Sequence, residues 1–314
     1  MNAEETMRAV VARGYGGPEV LESVRVPLPE PGPGQVRIRV EAATVNPVDL
    51  VTRSGTLVEA GLMAPRERTG IGWDVAGLVD RLGAGVTAFA PGQRVIGLRD
   101  LLDVSLGAYA ECLVLDAAAV APAPPGASAA AAATLPLNGL TALQSLDLLD
   151  LAAGDTLLVT GAAGAVGGFA VEVARRRGLR VVAQAGASDE GLARSLGAEW
   201  VVGRDSRELA ADVRRLVPGG VDGAVDTAGL GVRALAAVRS RGVYVTVVGG
   251  STAPPLRGIR VHQQWISADG AALAELAAMD LTPRVADILP LDCAAEAHHR
   301  LAAGGIRGRL VLVP

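Results

Sequence analysis

Glycines carry the most telling chemistry in this sequence: Gly161, Gly164 and Gly167 punctuate residues 157–178, LLVTGAAGAVGGFAVEVARRRG. An apolar run precedes them and a helical pattern follows. Backbone amides at such a helix N-terminus can therefore approach a phosphate that any side chain would block. Strand, glycine turn and helix in that order point to a dinucleotide, its pyrophosphate resting on the turn beside Ala163, Ala165 and Val166.

Which dinucleotide depends on the end of the next strand. An NAD site places Asp or Glu about 20 residues past the glycines, to accept from the ribose 2′-hydroxyl. Here that place holds Gln184, in VVAQAGAS, and no acid comes before Asp189. NADPH is therefore expected. Its 2′-phosphate needs hydroxyl and guanidinium donors; the chain has no lysine, so arginine must supply the charge, and Ser188 and Arg204 are the candidates.

Other chemistries find little support. No GxSxG or HExxH is present, and His262, His298 and His299 are the only histidines. His298 and His299 fall on a predicted helix beside Arg300, where surface positions are expected. The Tyr-x-x-x-Lys pair of short-chain dehydrogenases is impossible without lysine. Cys112 and Cys293 stand far apart, forming neither a disulfide framework nor a CxxC metal pair, which suits a reducing compartment.

These residues need a scaffold, and the chain reads as two kinds of texture. In QVRIRVEAATVN, Val36, Ile38 and Val40 alternate with Arg37, Arg39 and Glu41, the period of a strand with one wet face. Short strands with proline- and glycine-rich turns continue through the first third. From about Ser128, strands alternate with helices: TLLVT, RVVAQ, EGLARSL, RELAADVRRLV, GAVDTA and VYVTVVGG. That alternation indicates a doubly wound parallel sheet. Two helices, around GAALAELAAM and CAAEAHHRLAAG, and a strand GRLVLVP close the chain.

With 314 residues, 50% hydrophobic, two domains with their own cores are expected. A net charge of −4 with mixed signs argues against a nucleic-acid surface. The alanine-rich segment around residue 130 is broken by Pro122, Pro124, Pro125, Gly126 and Pro136, so no membrane span is read. MNAEETMRAV lacks a basic region followed by an apolar one, and a cytoplasmic protein is expected.

Several segments in order, GYGGPEVLE, VEAATVNPVDLVTRSG, GWDVAGLV, GAYAECLVL, LPLNGLTALQSL, the glycine turn, ARSLGAEWVV, VDGAVDTAG and GGIRGRLVLVP, resemble the medium-chain dehydrogenase/reductase superfamily. Within it they are similar to the zinc-independent quinone oxidoreductase and enoyl reductase branch. The resemblance implies an α/β protein: a GroES-like β-rich substrate domain at residues 1–126, completed by residues 266–314, and a Rossmann NADP(H)-binding domain at 127–265. It implies a cleft between them and a homodimer, paired through edge strands such as VYVTVVGG. Where zinc relatives carry a Cys, a His and a Cys, this chain has Asn46, Trp73 and Leu137, none a usual zinc ligand. No metal is expected. Conjugate reduction of an enone or quinone needs none, because the negative charge delocalises onto a distant oxygen that hydrogen-bond donors can stabilise.

By the same resemblance Asn46 and Asp49 lie at the nicotinamide end, Asn46 bonding substrate oxygen or cofactor and Asp49 ordering its loop or acting in catalysis. Val51 stands where some relatives carry a tyrosine proton donor, which leaves solvent as a proton source. Trp73 is a pocket wall or plain core. Asn138 and Thr141 border the nicotinamide, and Tyr109 is either a donor or an ordinary strand tyrosine. Thr227, Val248, Gly249, Gln264, Trp265 and Arg307 complete the candidate cofactor contacts. His262, Gln263 and Gln264 suit a substrate with several oxygens, such as a polycyclic or polyketide-like enone, or equally a partner subunit or the carboxamide. The expected activity is NADPH-dependent reduction of a quinone or α,β-unsaturated carbonyl. The alternatives are a quinone reductase of detoxification and a non-catalytic NADPH-binding scaffold.

Overall fold

The computed structural model describes residues 5–314, so part of the N-terminal stretch read for a leader, residues 1–4, lies outside it. The chain forms two compact units, residues 1–137 with 267–314, and residues 138–266.

Along the first segment run β1 (Thr6–Arg13), β2 (Leu21–Pro27), β3 (Gln35–Thr44), α1 (Pro47–Ser54), α2 (Thr56–Glu59), β4 (Arg68–Gly70), β5 (Asp74–Leu82), β6 (Arg94–Leu98), β7 (Cys112–Asp116), β8 (Val120–Pro122) and α3 (Ala129–Ala132). α4 (Pro136–Leu149) leads into the inserted unit. There follow β9 (Thr156–Thr160), α5 (Ala165–Arg176), β10 (Arg180–Ala185), α6 (Glu190–Leu196), β11 (Trp200–Gly203), α7 (Leu209–Leu216), β12 (Val221–Asp226), α8 (Val232–Leu235), β13 (Val238–Thr246) and β14 (Arg260–Gln263). The closing segment returns to the first unit with α9 (Gly270–Ala278), β15 (Val285–Pro290), α10 (Ala294–Ala303) and β16 (Arg309–Val313).

The first unit is β-rich. β2-β1-β4 make a three-stranded antiparallel sheet, and β15-β16-β3-β5-β6-β8, with β7 on β3, make a seven-stranded one. Ile38, Val75, Val95, Leu113, Leu310 and Leu312 fill its core. In β3 the alternation places Val36, Ile38 and Val40 inside and Arg39 outside. Arg37, expected on the wet side, is instead 5% exposed. Its Nε donates to Asp80 at 2.5 Å and its Nη1 to Glu30 at 2.9 Å, and a guanidinium met by two carboxylates can leave water. α3 packs on β3 and β5, which ties residues 129–132 to this unit.

In the second unit every neighbouring strand pair is parallel, in the order β11-β10-β9-β12-β13-β14. This is the doubly wound Rossmann order, with its reversal of direction between β9 and β12. β9 is buried along its whole length, as a strand covered on both faces requires. One expectation is corrected. VYVTVVGG does not supply an edge strand, because β13 is flanked by β12 and β14 and the edges of the sheet are β11 and β14. β14 is four residues of mixed polarity, RVHQ, too short for a periodicity to reveal it.

Candidate functional site

The glycine turn lies where β9 gives way to α5, at the carboxyl edge of the sheet and beside the switch between β9 and β12. Gly161 has φ +59°, a conformation that favours glycine, and a Cβ there would lie 2.8 Å from the Thr227 hydroxyl. At Gly167 a Cβ would sit 2.3 Å from the Gly161 carbonyl oxygen, so only glycine lets the first turn of α5 close on the loop. Gly164, the N-cap of α5, is exposed. The positive end of the helix dipole thus opens at an exposed glycine, where a Cβ would meet only the Gly161 carbonyl, and this suits a pyrophosphate.

Beneath the turn, residues that sequence reasoning did not single out tie the strand ends together. Asp226 is fully buried and accepts from Thr160 Oγ1 at 2.6 Å, Tyr244 Oη at 2.7 Å and the Gly231 amide at 2.8 Å. Burial and the bond to Asp226 push the Tyr244 phenol up, so it stays a proton donor. Thr227 Oγ1 reaches back to the Thr160 carbonyl at 2.6 Å. The carboxylate is satisfied by several donors, as a buried charge must be. Its effect is to hold β9, β12 and β13 level at the carboxyl edge of the sheet.

At the end of β10 stand the residues on which the sequence-based expectation of NADPH rests. Gln184 is buried; its Oε1 accepts from the Gly161 amide at 3.3 Å and its Nε2 donates to the Arg204 carbonyl at 3.3 Å. The Arg204 amide donates to the Ala185 carbonyl at 2.7 Å, which fixes the loop after β11 against the end of β10. Ser188 and Arg204 are both exposed, whereas Asp189 is buried. Thr227 and Ala163 are half-buried, Val248 and Gly249 exposed, and Trp265 is 64% exposed. Gln264 is buried with its Nε2 on Gln144 Oε1 at 2.9 Å, and Asn138 and Thr141 are buried on α4. Arg307 belongs to the first unit and is exposed.

In the first unit Asn46, Asp49 and Tyr109, three of the five expected catalytic residues, join one buried polar network; Trp73 stands beside Asp74, and Asn138 belongs to the second unit. Asn46 caps α1: its amide N–H donates to Asp49 Oδ2 at 2.8 Å, and Asp49 Oδ1 accepts from the Gly72 amide at 3.1 Å. The Asn46 Nδ2 donates to Asp74 at 2.6 Å and to Thr44 at 3.0 Å. Asp74 also accepts from the Leu137 amide at 2.5 Å. Asn46, Asp49 and Asp74 have no exposed surface, and Trp73 is 8% exposed. Burial raises Asp49 to about 7 and Asp74 to about 6, against the amide and hydroxyl donors that favour their charged forms.

Tyr109 links this network to the closing segment. Its hydroxyl lies 3.3 Å from Asp49 Oδ2 and 3.2 Å from His298 Nε2, and the two rings meet edge to face at 84°. His298 was expected on the surface of its helix; it is fully buried, while His299 beside it is exposed. The amphipathic pattern around Arg300 conceals it, because its partner Tyr109 lies 189 residues away. Burial and nearby Arg53 lower His298 to about 3, so the ring is neutral. With the phenol donating to Asp49, Nε2–H faces the phenol oxygen and Nδ1 keeps a lone pair without a partner.

Zinc does not fit this donor set. The positions matched to zinc ligands hold Asn46, Trp73 and Leu137, the Asn46 amide is committed to Asp74, and no cluster of three or more His, Cys, Asp or Glu suited to a metal occurs among the described residues.

Residues 32–125 match the alcohol dehydrogenase GroES-like domain, and residues 196–312 the zinc-binding dehydrogenase domain. A mycobacterial protein solved with NADPH is 31% identical, with a TM-score of 0.81 over 98% of this chain and 100% of its own. The chain belongs to the medium-chain dehydrogenase/reductase superfamily. An NAD-dependent alcohol dehydrogenase is 32% identical, with a TM-score of 0.87 over 98% of this chain and 100% of its own. The chloroplastic quinone-oxidoreductase homologue of Spinacia oleracea is 35% identical over 67% of this chain, and the match spans 64% of that relative. The chain thus has the fold of a nicotinamide-dependent oxidoreductase family, and among the described residues no helix is long and apolar enough to cross a membrane.

Proposed function

We propose that the chain is a cytoplasmic, NADPH-dependent, zinc-independent reductase that delivers hydride to a quinone or an α,β-unsaturated carbonyl. The observation that carries the cofactor is the end of β10. Gln184 stands where an acid would accept from an NAD ribose, and its oxygen is already taken by the Gly161 amide. Exposed Ser188 and Arg204 flank that point and are suited to a 2′-phosphate. The absence of a zinc-type donor set favours substrates whose reduction leaves delocalised charge over simple carbonyls. Two unbridged cysteines fit a reducing compartment.

The bound cofactor supplies the hydride. The glycine turn and the first amides of α5 hold its pyrophosphate, and Thr227, Val248 and Gly249 stand at the strand ends on the nicotinamide side. Asn46, Asp49 and Tyr109 act by positioning: they lock α1 to the 70–72 loop and to α10, and present no exposed atom of their own. Val51, 36% exposed, replaces a tyrosine acid, and water supplies the proton.

The test is steady-state kinetics with NADPH and NADH against a quinone and an enone. Gly164→Asp puts a carboxylate in the cradle and should abolish cofactor binding. Arg204→Ala should reduce the preference for NADPH by about tenfold, the loss expected for one charge-assisted contact. An unchanged preference in Arg204→Ala refutes the phosphate assignment.

A further inference from the structure

We propose that the first unit carries a second binding site, for an amphipathic organic anion: a carboxylate or phosphate ester on an apolar body. A cavity of about 580 Å³ opens on the β2-β1-β4 sheet, a volume within the usual range for small-molecule sites. Val11, Val24 and Val26 from β1 and β2 form one wall, and residues 103–106 face them, held by the bond from the Gly70 amide to the Val104 carbonyl at 2.8 Å. The lining therefore offers an apolar surface to a ligand body.

Charge sets the head group. Arg66, Arg68 and Arg99 line the cavity with a single acid, Asp103. Asp103 pairs with Arg66, so it neutralises one cation of the three. The Arg68 side chain has no ion-pair partner among the described residues. Arg99 donates from Nη2 to the Val114 carbonyl at 2.6 Å, while its Nε, shielded from solvent, has no partner. Asp116 and Asp100 act on the Arg99 guanidinium through space but make no hydrogen bond to its Nε, and guanidinium forks match carboxylate and phosphate oxygens. No lining residue belongs to the glycine turn or to the Asn46–Asp49–Tyr109–His298 network, so this site stands apart from the proposed hydride chemistry.

Calorimetric titration of the full chain with octanoate, octyl phosphate and octanol, with and without NADPH, tests it. One or both anions should bind with one-to-one stoichiometry whether NADPH is present or not, and octanol about tenfold more weakly or not at all. Octanoate alone marks a carboxylate ligand, octyl phosphate alone a phosphate ester. Arg68→Ser removes an exposed side chain and should weaken anion binding about tenfold, leaving the rate of NADPH oxidation unchanged. Asp103→Asn should tighten binding, a change no structural damage would mimic. Equal binding of octanol, displacement by NADPH, unaltered affinity in Arg68→Ser, or no binding by either anion would overturn the proposal.

Discussion

At Asp49 a carboxylate without exposed surface is held by two backbone amides and a phenol, and behind that phenol stands a neutral imidazole. The two ends of this chain of contacts respond to pH with opposite sign. Asp49 and Asp74 are raised in the folded state from 3.8 to about 7 and about 6, so they favour folding most below pH 3.8 and less as pH rises through those values. His298 is lowered from 6.5 to about 3, so its contribution is present above pH 6.5 and disappears as pH falls towards 3. His298→Phe should therefore be less stable than the native chain at pH 8, by about 1–3 kcal/mol for the lost bond to Tyr109. That deficit should shrink between pH 6.5 and 3, as urea denaturation across the range will show; a deficit independent of pH contradicts the assignment. At this scale the sequence was only partly legible. The sequence leaves Asp49 as ordering its loop or acting in catalysis; in the structure it accepts from the Asn46 and Gly72 amides. His298 was misread, because one helix's periodicity reports the polarity of a face and not the distant phenol that makes burial of an imidazole tolerable.

At the scale of elements, the turn between β9 and α5 was readable because its signals are local: an apolar strand, spaced glycines, a helical pattern, all within residues 156–176. Gly167→Ala should show why glycine stands there. Alanine favours a helix by about 1 kcal/mol, yet its Cβ would press on the Gly161 carbonyl oxygen at 2.3 Å. The variant should melt lower and bind NADPH at least about tenfold more weakly. Gly191→Ala in α6 is the matched control: no atom lies within 4 Å of a Cβ there, and the change should stabilise by about 0.5–1 kcal/mol through helix propensity alone. Equal melting points for the two variants would refute the close-approach argument. The Asp226–Tyr244–Thr160 network escaped sequence reading for the opposite reason. Its members lie on three different strands, far apart in sequence, and only the parallel register brings them together.

For the whole molecule, the order of segments identified both units, since the interruption of a β-rich chain by alternating strands and helices is a large-scale texture. Pairing at the sheet edge was not visible, because β14 is short and polar. If a homodimer forms as the resemblance implies, β14 is the edge strand next to VYVTVVGG that can pair, and light scattering should report twice the chain mass of 31.8 kDa. A particle of single-chain mass contradicts it.

The proposed activity is hydride delivery from NADPH to a polarised double bond without metal. The most direct measurement incubates chelator-treated protein with NADPH deuterated at the transferable position, an enone, a quinone and, separately, a saturated aldehyde, and follows products by mass. One deuterium should be retained at the enone β-carbon, or the quinone consumed, with the aldehyde untouched. Turnover of the aldehyde alone, or activity that vanishes with the chelator and returns with zinc, would contradict it.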